Sequence, residues 1–347
     1  MIIYEMASIV MKILIIGGTR FIGAHLTREL LEQGHDVVHL NRGKQRPFFI
    51  FDIETIQCDK RDIATKRAEI ESRHFDLVID MKAMSIADTQ PVLTLLDGTV
   101  DRICVISSAD VYRVTDVVWK LDPTPIDNTE LSEDSPLRRR LFNRNLTYKG
   151  EDLYEMYDKI PVEYRVRDIK HSSWTICRLP AVYGSGDYRF KDFSKRYGDR
   201  RTRWVMEESY AHFRFTHGYV EDVAKAIVLA ATHEKGRDET FNIGELNTPS
   251  YCERYKQMAS DFGLSLELYK AKRSEMTWID GDDPFNLNQH WILNSDKIRT
   301  QLGFQETYTL EEAYRKTVEW EIRNPPDKID PKEFNYEAED AFIESLS

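Results

Sequence analysis

The sequence Lys12-Ile-Leu-Ile-Ile-Gly-Gly-Thr-Arg-Phe-Ile-Gly23 leads directly into a helix-like segment that ends at Gly34. An apolar run of strand length is followed by a glycine turn and then by residues with helical periodicity. Gly17 permits a tight turn, and Gly23 allows the helix to pack closely on the sheet. Because the free N–H groups of such a helix start bind phosphate, the stretch predicts a dinucleotide site. The alternative is an ordinary strand-to-helix turn that merely requires glycine.

The end of the second predicted strand, Asp36 to Asn41, indicates which dinucleotide binds. An acidic residue there would hold the ribose 2′-OH of NAD, but this chain has Asn41 and then Arg42. Arg20 also replaces the glycine expected in the middle of the turn. No carboxylate repels a 2′-phosphate and two guanidinium groups are available to bind one, so NADP is favoured over NAD, which stays possible. The alternative is that Arg42 is a solvated loop residue.

Composition indicates a globular protein in a reducing compartment. The chain of 347 residues can bury a large core, and its four cysteines lack C-x-x-C spacing. No apolar run reaches membrane-spanning length, and the net charge of −11 argues against nucleic acid as a partner. We therefore expect reduced cysteines, a cytoplasmic location, a small-molecule substrate, no metal site and no membrane partner, with a homodimer as a possible assembly.

The first ten residues are apolar enough to suggest a signal peptide. Glu5 interrupts them, and no small-residue cleavage site precedes the first strand. We therefore predict no signal peptide, and either Met1 or Met11 is compatible with the natural start.

Strand-like and helix-like segments alternate through the first half of the chain. This order predicts an α/β protein with a doubly wound parallel sheet, that is, a Rossmann fold. Further strands are predicted at 55–59, 76–80, 102–108, 174–179 and 240–244, and helices near 63–72, 86–96, 145–159, 220–232 and 310–323. Since ligands bind at the carboxyl ends of such strands, residues 81–83, 107–108 and 180–181 are expected around one cleft.

We expect three parts in the chain. A dinucleotide-binding Rossmann domain covers residues 11–179 and is completed by 214–244. A smaller, mixed substrate lobe comprises 180–213 and 245–324. Residues 325–347 form an acidic C-terminal extension, and the acids and prolines of its segment 327–340 predict loose packing.

Several motifs in consistent order resemble the extended short-chain dehydrogenase/reductase superfamily, the group of NAD-dependent epimerases and dehydratases. The resemblance spans about residues 12–324 and rests on the segments 17–23, 107–112, 178–187, 219–224, 241–244, 295–299 and 302–304, with Asp59 after the third strand. The glycine motif followed by Asn41-Arg42-Gly43 is similar to the atypical branch, which includes chloroplast proteins described as RNA-binding. Together, the glycine turn and the resemblance imply a cofactor site formed by Gly17, Gly18, Arg20, Phe21, Ile22, Gly23, Asn41, Arg42, Asp59, Lys149 and Pro180.

Catalysis in this superfamily rests on a Tyr four residues before a Lys on one helix, where the Lys holds the nicotinamide ribose and the Tyr exchanges a proton with substrate. No tyrosine of this chain is followed four residues later by lysine. The best match gives Lys149 the lysine role, with Asn145 at the tyrosine position and Tyr148 adjacent. Ser108 matches the family's catalytic Ser/Thr, and the alternative is a simple capping role. Three interpretations stay open: Tyr148 reaches the cleft, another residue is the acid/base, or the site binds cofactor without the usual chemistry.

Two further positions bear on the substrate. Ala109 stands where family dehydratases carry an acid, so the resemblance is closer to 4-epimerases than to dehydratases. Arg214 lies within one residue of a family arginine that binds a sugar-nucleotide diphosphate, and the alternative is a surface ion pair. The resemblance therefore implies an NAD(P)-dependent epimerase or reductase acting on a nucleotide sugar or a similar small hydroxy/keto compound. The alternative is a cofactor-binding protein with a degraded active site, acting as a regulatory or RNA-associated factor.

Overall fold

The computed structural model describes residues 10–44, 47–49, 51–142, 157–279, 284–329 and 331–346. Within them the strands are β1 (Lys12–Ile16), β2 (Asp36–Asn41), β3 (Glu54–Gln57), β4 (Leu77–Asp80), β5 (Arg102–Ser108), β6 (Ser173–Leu179), β7 (Ala181–Tyr183), β8 (Arg203–Glu207), β9 (His217–Tyr219), β10 (Glu239–Asn242) and β11 (Glu267–Ala271). The α-helices are α1 (Phe21–Glu32), α2 (Arg67–Glu71), α3 (Ile86–Leu96), α4 (Val114–Val118), α5 (Lys159–Arg167), α6 (Lys191–Gly198), α7 (Glu208–His212), α8 (Val220–Thr232), α9 (Tyr251–Asp261), α10 (Asp296–Leu302), α11 (Leu310–Arg323) and α12 (Tyr336–Ser345).

A seven-stranded parallel sheet forms the centre of the fold, in the order β10-β6-β5-β4-β1-β2-β3. The central strand β1 pairs on one side with β2 and on the other with β4. The strand order therefore reverses at β1, and the carboxyl ends of β1 and β4 flank the crevice where such sheets bind ligands. The predicted doubly wound Rossmann fold is confirmed.

Both faces of the sheet are covered, which explains why its strands are continuous apolar runs. Ile13 and Ile15 of β1 pack with the buried residues of α1 and α8. Leu14 and Ile16 point to the opposite face, where the core includes residues of α3 and α5. Three of the four cysteines are buried and all four are free, which confirms the expectation of reduced thiols.

Two small parallel sheets and several helices form the remainder of the described chain. β7 pairs with β9, and β8 pairs with β11. Helix α11 packs against both α6 and α9. None of the described helices is long and apolar enough to cross a membrane.

The predicted helix at 145–159 needs a correction at its end. Residues 145–156 lie outside the described residues, but Tyr157 and Asp158 are not helical. Asp158 instead caps a separate helix, α5, by accepting the Ile160 N–H. Near the predicted helix 63–72, a 3₁₀ segment at Lys60–Lys66 precedes the short α2.

The expectation of a loosely packed segment at 327–340 was wrong for its helical part. Glu339 of α12 is buried and forms a bidentate ion pair with Arg196 of α6, with N···O distances of 2.6 and 2.7 Å. Ile343 is buried among Val205 and its neighbours. The acidic residues that suggested a solvated tail are instead partners for a basic helix.

Candidate cofactor and active site

The glycine turn between β1 and α1 has no room for side chains. Gly17 has a φ of +92°, and a Cβ there would lie 2.7 Å from the Cγ of Lys82. A Cβ on Gly23 would lie 2.4 Å from the Gly17 carbonyl oxygen, which is a backbone atom. Both glycines are therefore needed for the turn and for the close approach of α1 to it.

A buried histidine supports this turn from below. The Nε2 atom of His39 lies 2.9 Å from the Thr27 hydroxyl, and a Cβ on Gly18 would approach it to 2.5 Å. Burial lowers the pKa of His39 to about 4, so the imidazole is neutral at physiological pH. The third glycine position of the turn is thus also fixed by packing.

The end of β2 presents a cation rather than a carboxylate. The side chain of Asn41 accepts a hydrogen bond from the Gly43 N–H at 2.8 Å, so it builds the local turn. The side chain of Arg42 is more than half exposed and lies 3.9 Å from a carboxylate oxygen of Asp59. Hydrogen bonds from Arg61 hold the pKa of Asp59 down to about 2. Arg42 is therefore accessible beside an ionised Asp59 that is already bound to Arg61.

Lysines follow β3 and β4 on the same edge of the sheet. The Lys60 ammonium donates to the Asp80 carboxylate at 2.7 Å and to the Lys82 carbonyl at 2.9 Å. The other oxygen of the fully buried Asp80 accepts the Lys82 N–H at 2.8 Å. This arrangement fixes the backbone of Lys82 beside the glycine turn.

Ser108 ends β5, where it is half-buried and accepts the Asp110 N–H at 3.2 Å. The carboxylate of Asp110 accepts a hydrogen bond from the Tyr157 hydroxyl at 2.6 Å. A serine, a carboxylate and a phenol therefore meet at the carboxyl end of β5. The sequence predicted the serine but neither of its two neighbours.

The amine of Lys159, at the start of α5, also lies at this end of β5. It is buried and donates to the Ile106 carbonyl at 3.0 Å. Burial lowers the pKa of Lys159 to about 8, opposed by the carboxylates of Asp110 and Asp80. A lysine with this pKa beside a cleft is a candidate functional group. The only sequence signal for it was Asp158, a residue type that commonly caps helices.

A buried ionic network fixes α5 to the sheet behind these groups. Glu163 binds Arg178 of β6 through two hydrogen bonds of 2.7 and 3.0 Å and accepts the Ser107 hydroxyl at 2.5 Å. Arg178 also donates to the hydroxyl of Tyr112, which in turn donates to Asn242 of β10. The network therefore connects α5 with β5, β6 and β10.

The predicted site residues separate into three groups. The structure brings together at the carboxyl ends of the strands the predicted residues Gly17, Gly18, Arg20, Phe21, Ile22, Gly23, Asn41, Arg42, Asp59, Ser108 and Pro180. Arg214 precedes β9, donates to the Thr248 carbonyl at 2.8 Å and lines a cavity of about 380 Å³ together with Arg254 and Tyr314. Tyr148 and Lys149 lie outside the described residues, and their roles stay predictions.

These residues fit a nicotinamide dinucleotide. The turn has a backbone cradle that a Cβ would fill at Gly17 and Gly23, and it opens beside α1, whose first N–H groups suit phosphate. The cations Arg20, Arg42 and Lys82 surround it, which suits a ligand with several phosphates. In the described residues, no group of three or more metal-ligating side chains is arranged to hold a metal ion.

Comparisons with known proteins agree with this geometry. Residues 13–114 match the model of the NAD dependent epimerase/dehydratase family. The chain is 26% identical over 329 residues to the chloroplast stem-loop binding protein of 41 kDa b of Arabidopsis thaliana, covering 90% of this chain and 79% of that protein. It is 24% identical to dTDP-glucose 4,6-dehydratase 1 of Escherichia coli K12, covering 90% of this chain and 93% of that enzyme.

Solved structures share the fold at low sequence identity. A UDP-glucose 4-epimerase of Thermotoga maritima with UDP-glucose has a TM-score of 0.65 at 18% identity, covering 91% of this chain and 100% of that one. A dTDP-glucose 4,6-dehydratase of Bacillus anthracis in complex with NAD has a TM-score of 0.64 at 16% identity, covering 91% and 97%. The chain therefore belongs to the extended short-chain dehydrogenase/reductase superfamily, and its nucleotide-binding part matches the NAD-dependent epimerase/dehydratase family.

Proposed function

We propose that this protein is an NAD(P)-dependent epimerase or oxidoreductase that acts on a nucleotide sugar or a similar small hydroxy/keto compound. The observation that carries the proposal is the position of a buried amine, Lys159, and of Ser108 at the carboxyl end of the strand next to β4, beside the glycine turn. When bound, the nicotinamide would accept a hydride from substrate and return it. Relatives named as nucleotide-sugar dehydratases and epimerases support this substrate class.

In this proposal each group at the end of β5 has a role. Lys159 orients the cofactor ribose and sets the local positive charge, a role that we had predicted for Lys149. Ser108 hydrogen-bonds the reacting oxygen of the substrate. Tyr157 and Asp110 share a proton between the phenol and the carboxylate at 2.6 Å, which makes them the acid/base pair unless Tyr148 reaches the cleft.

Product analysis tests the proposal directly. The full chain is incubated with NADP or NAD and with UDP- or dTDP-linked hexoses, and the sugar nucleotides are separated by chromatography. Appearance of an epimer, a keto sugar or reduced cofactor supports an enzyme. Tight dinucleotide binding without conversion of any sugar nucleotide contradicts it.

A second candidate function rests on one comparison, the similarity over 90% of the chain to a protein named for binding stem-loops. In this alternative the dinucleotide site is regulatory, and the chain associates with RNA. Because phosphate-backbone binding needs clustered cations, the net charge of −11 disfavours it. A gel shift with stem-loop RNA at physiological salt separates the two functions, since only the second requires a shift.

We predict that the protein binds NADP more tightly than NAD, and that Arg42→Ala removes this preference. The exposed guanidinium would pair with the 2′-phosphate, so its loss should weaken NADP binding about tenfold, or about 1.4 kcal/mol. NAD binding should change less than twofold. Dissociation constants are measured by quenching of intrinsic fluorescence, with Lys44→Ala as a neighbouring exposed cation for control. Equal affinities of the wild-type chain for both dinucleotides would contradict the prediction.

We also predict that Lys159 gives the protein a distinct alkaline stability profile. Its pKa is about 8 in the folded protein against 10.5 in the unfolded chain, so the unfolded chain binds more protons between these values. The free energy of unfolding should therefore rise with pH, by about 1.5 kcal/mol between pH 8 and pH 9.5. Urea unfolding of wild-type and Lys159→Met proteins isolates this contribution, because other titrating groups are shared. Parallel stability curves for the two proteins would show that Lys159 has an ordinary pKa.

A further inference from the structure

Lys82 lies over the glycine turn, yet nothing in the site described so far uses its amine. It follows β4 by two residues, at the point where the strand order of the sheet reverses. A Cβ built on Gly17 would meet three carbons of its side chain, the Cγ, Cε and Cδ, at 2.7, 3.5 and 3.6 Å. The aliphatic part of Lys82 therefore extends along the turn itself.

The charges around this amine are unbalanced. Partial burial and the neighbouring cations Arg20, Arg42 and Lys60 lower the pKa of Lys82, and Asp80 is the carboxylate that opposes them. That carboxylate is already committed, because one oxygen binds the Lys60 ammonium and the other binds the Lys82 backbone N–H. Among the described residues, no carboxylate forms an ion pair with the Lys82 amine. A dianionic ligand would neutralise this cluster.

We propose that Lys82, together with Arg20, binds the pyrophosphate of the dinucleotide. The proposal rests on the proposed cofactor site and adds a specific residue to it. The pyrophosphate of a dinucleotide lies over the turn and at the start of the following helix, which is where the Lys82 side chain extends and where Arg20 precedes α1. Arg42 lies at the end of the next strand, so the two cations read different phosphates.

This division of labour makes a prediction that separates the two residues. Lys82→Met should weaken the binding of NAD, NADP and ADP by a common factor of about ten to a hundred, because all three carry the pyrophosphate. It should change adenosine binding less than twofold. Arg42→Ala should instead affect NADP and 2′,5′-ADP while leaving NAD and ADP unchanged.

The experiment measures these dissociation constants by calorimetry with the full-length chain at two salt concentrations. Lys44→Met, which removes an exposed cation a few residues away, is the matched control, and Lys82→Arg should retain most of the affinity for ADP. The salt dependence of ADP binding should decrease in Lys82→Met, because one charged contact is lost. Thermal melts should be unchanged, since Lys82 is exposed.

Different failures have different meanings. Binding of NAD and NADP that Lys82→Met leaves within twofold would overturn the assignment of Lys82 while leaving the cofactor site intact. A loss confined to NADP would also overturn it, since Lys82 would then read the 2′-phosphate. A wild-type chain that binds no dinucleotide would overturn both the assignment and the proposed function.

Discussion

Glu163→Gln is expected to lower the free energy of unfolding by about 3–5 kcal/mol, because it leaves the buried Arg178 guanidinium without its counter-charge. The Glu163 side chain is fully buried and that of Arg178 is 2% exposed. Burial alone would raise the pKa of Glu163, but the hydrogen bonds and charge of Arg178 outweigh it and leave the pKa below its usual range. A neutral amide would also turn an NH₂ group toward the guanidinium. Urea denaturation at pH 7 measures the loss.

The control is a surface pair of the same chemistry. Arg67 and Glu71 lie 2.8 Å apart on exposed side chains, so Glu71→Gln should cost no more than about 0.5 kcal/mol. The lowered pKa of Glu163 also gives a pH dependence: its contribution is present above the unfolded pKa, near 4.5, and is lost as the pH falls below it. Equal costs for the two substitutions would mean that the Glu163 network does not hold α5 to the sheet.

Gly23→Ala is expected to destabilise the protein by about 1–3 kcal/mol and to abolish measurable binding of both NAD and NADP. The added Cβ would lie 2.4 Å from the Gly17 carbonyl oxygen and 3.0 Å from the Gly18 Cα, so the backbone of the turn must move. A turn displaced from α1 no longer directs the helix N–H groups at the pyrophosphate. Thermal melts and calorimetric titrations with both dinucleotides measure the two effects.

Gly198→Ala provides the matched control. A Cβ there meets no heavy atom within 4 Å, and the residue lies at the end of α6. It should leave dinucleotide binding unchanged and leave stability the same or slightly higher. If Gly23→Ala bound NAD and NADP as the wild type does, the glycine turn would not be the cofactor site.

Most of the fold could be predicted because each central element carries its own signal. The apolar run of β1 is buried on both faces, and the boundaries of α8 and α11 follow from helical periodicity and were predicted to the residue. Helix α5 was missed, since it starts only after Asp158 and has Pro161 in its first turn, which resembles a loop in sequence. The docking of α12 depends on a partner helix far away in the chain, which no local pattern reveals.

The candidate site was predictable only where it is local. The glycine turn and the end of β2 are contiguous in sequence, so their residue types and spacing indicated a dinucleotide site. The environment of Lys159 is not local, because Ile106, Asp110 and Asp80 come from other parts of the sheet and its loops. The altered pKa of Lys159 follows from this three-dimensional environment, and spacing rules that search for a tyrosine–lysine pair do not find it.

The contact between α6 and α12 has a consequence for how the chain folds during synthesis. Arg196 and Glu339 are separated by 143 positions, and Arg201 reaches Asp340 over 139. While the ribosome extends the chain, the Rossmann strands can pair early, but a guanidinium destined for burial has no counter-ion until the final residues emerge. Helix α6 should therefore become protected from hydrogen exchange only after release of the completed polypeptide, and ribosome-bound chains stalled before Glu339 should keep it accessible to proteases.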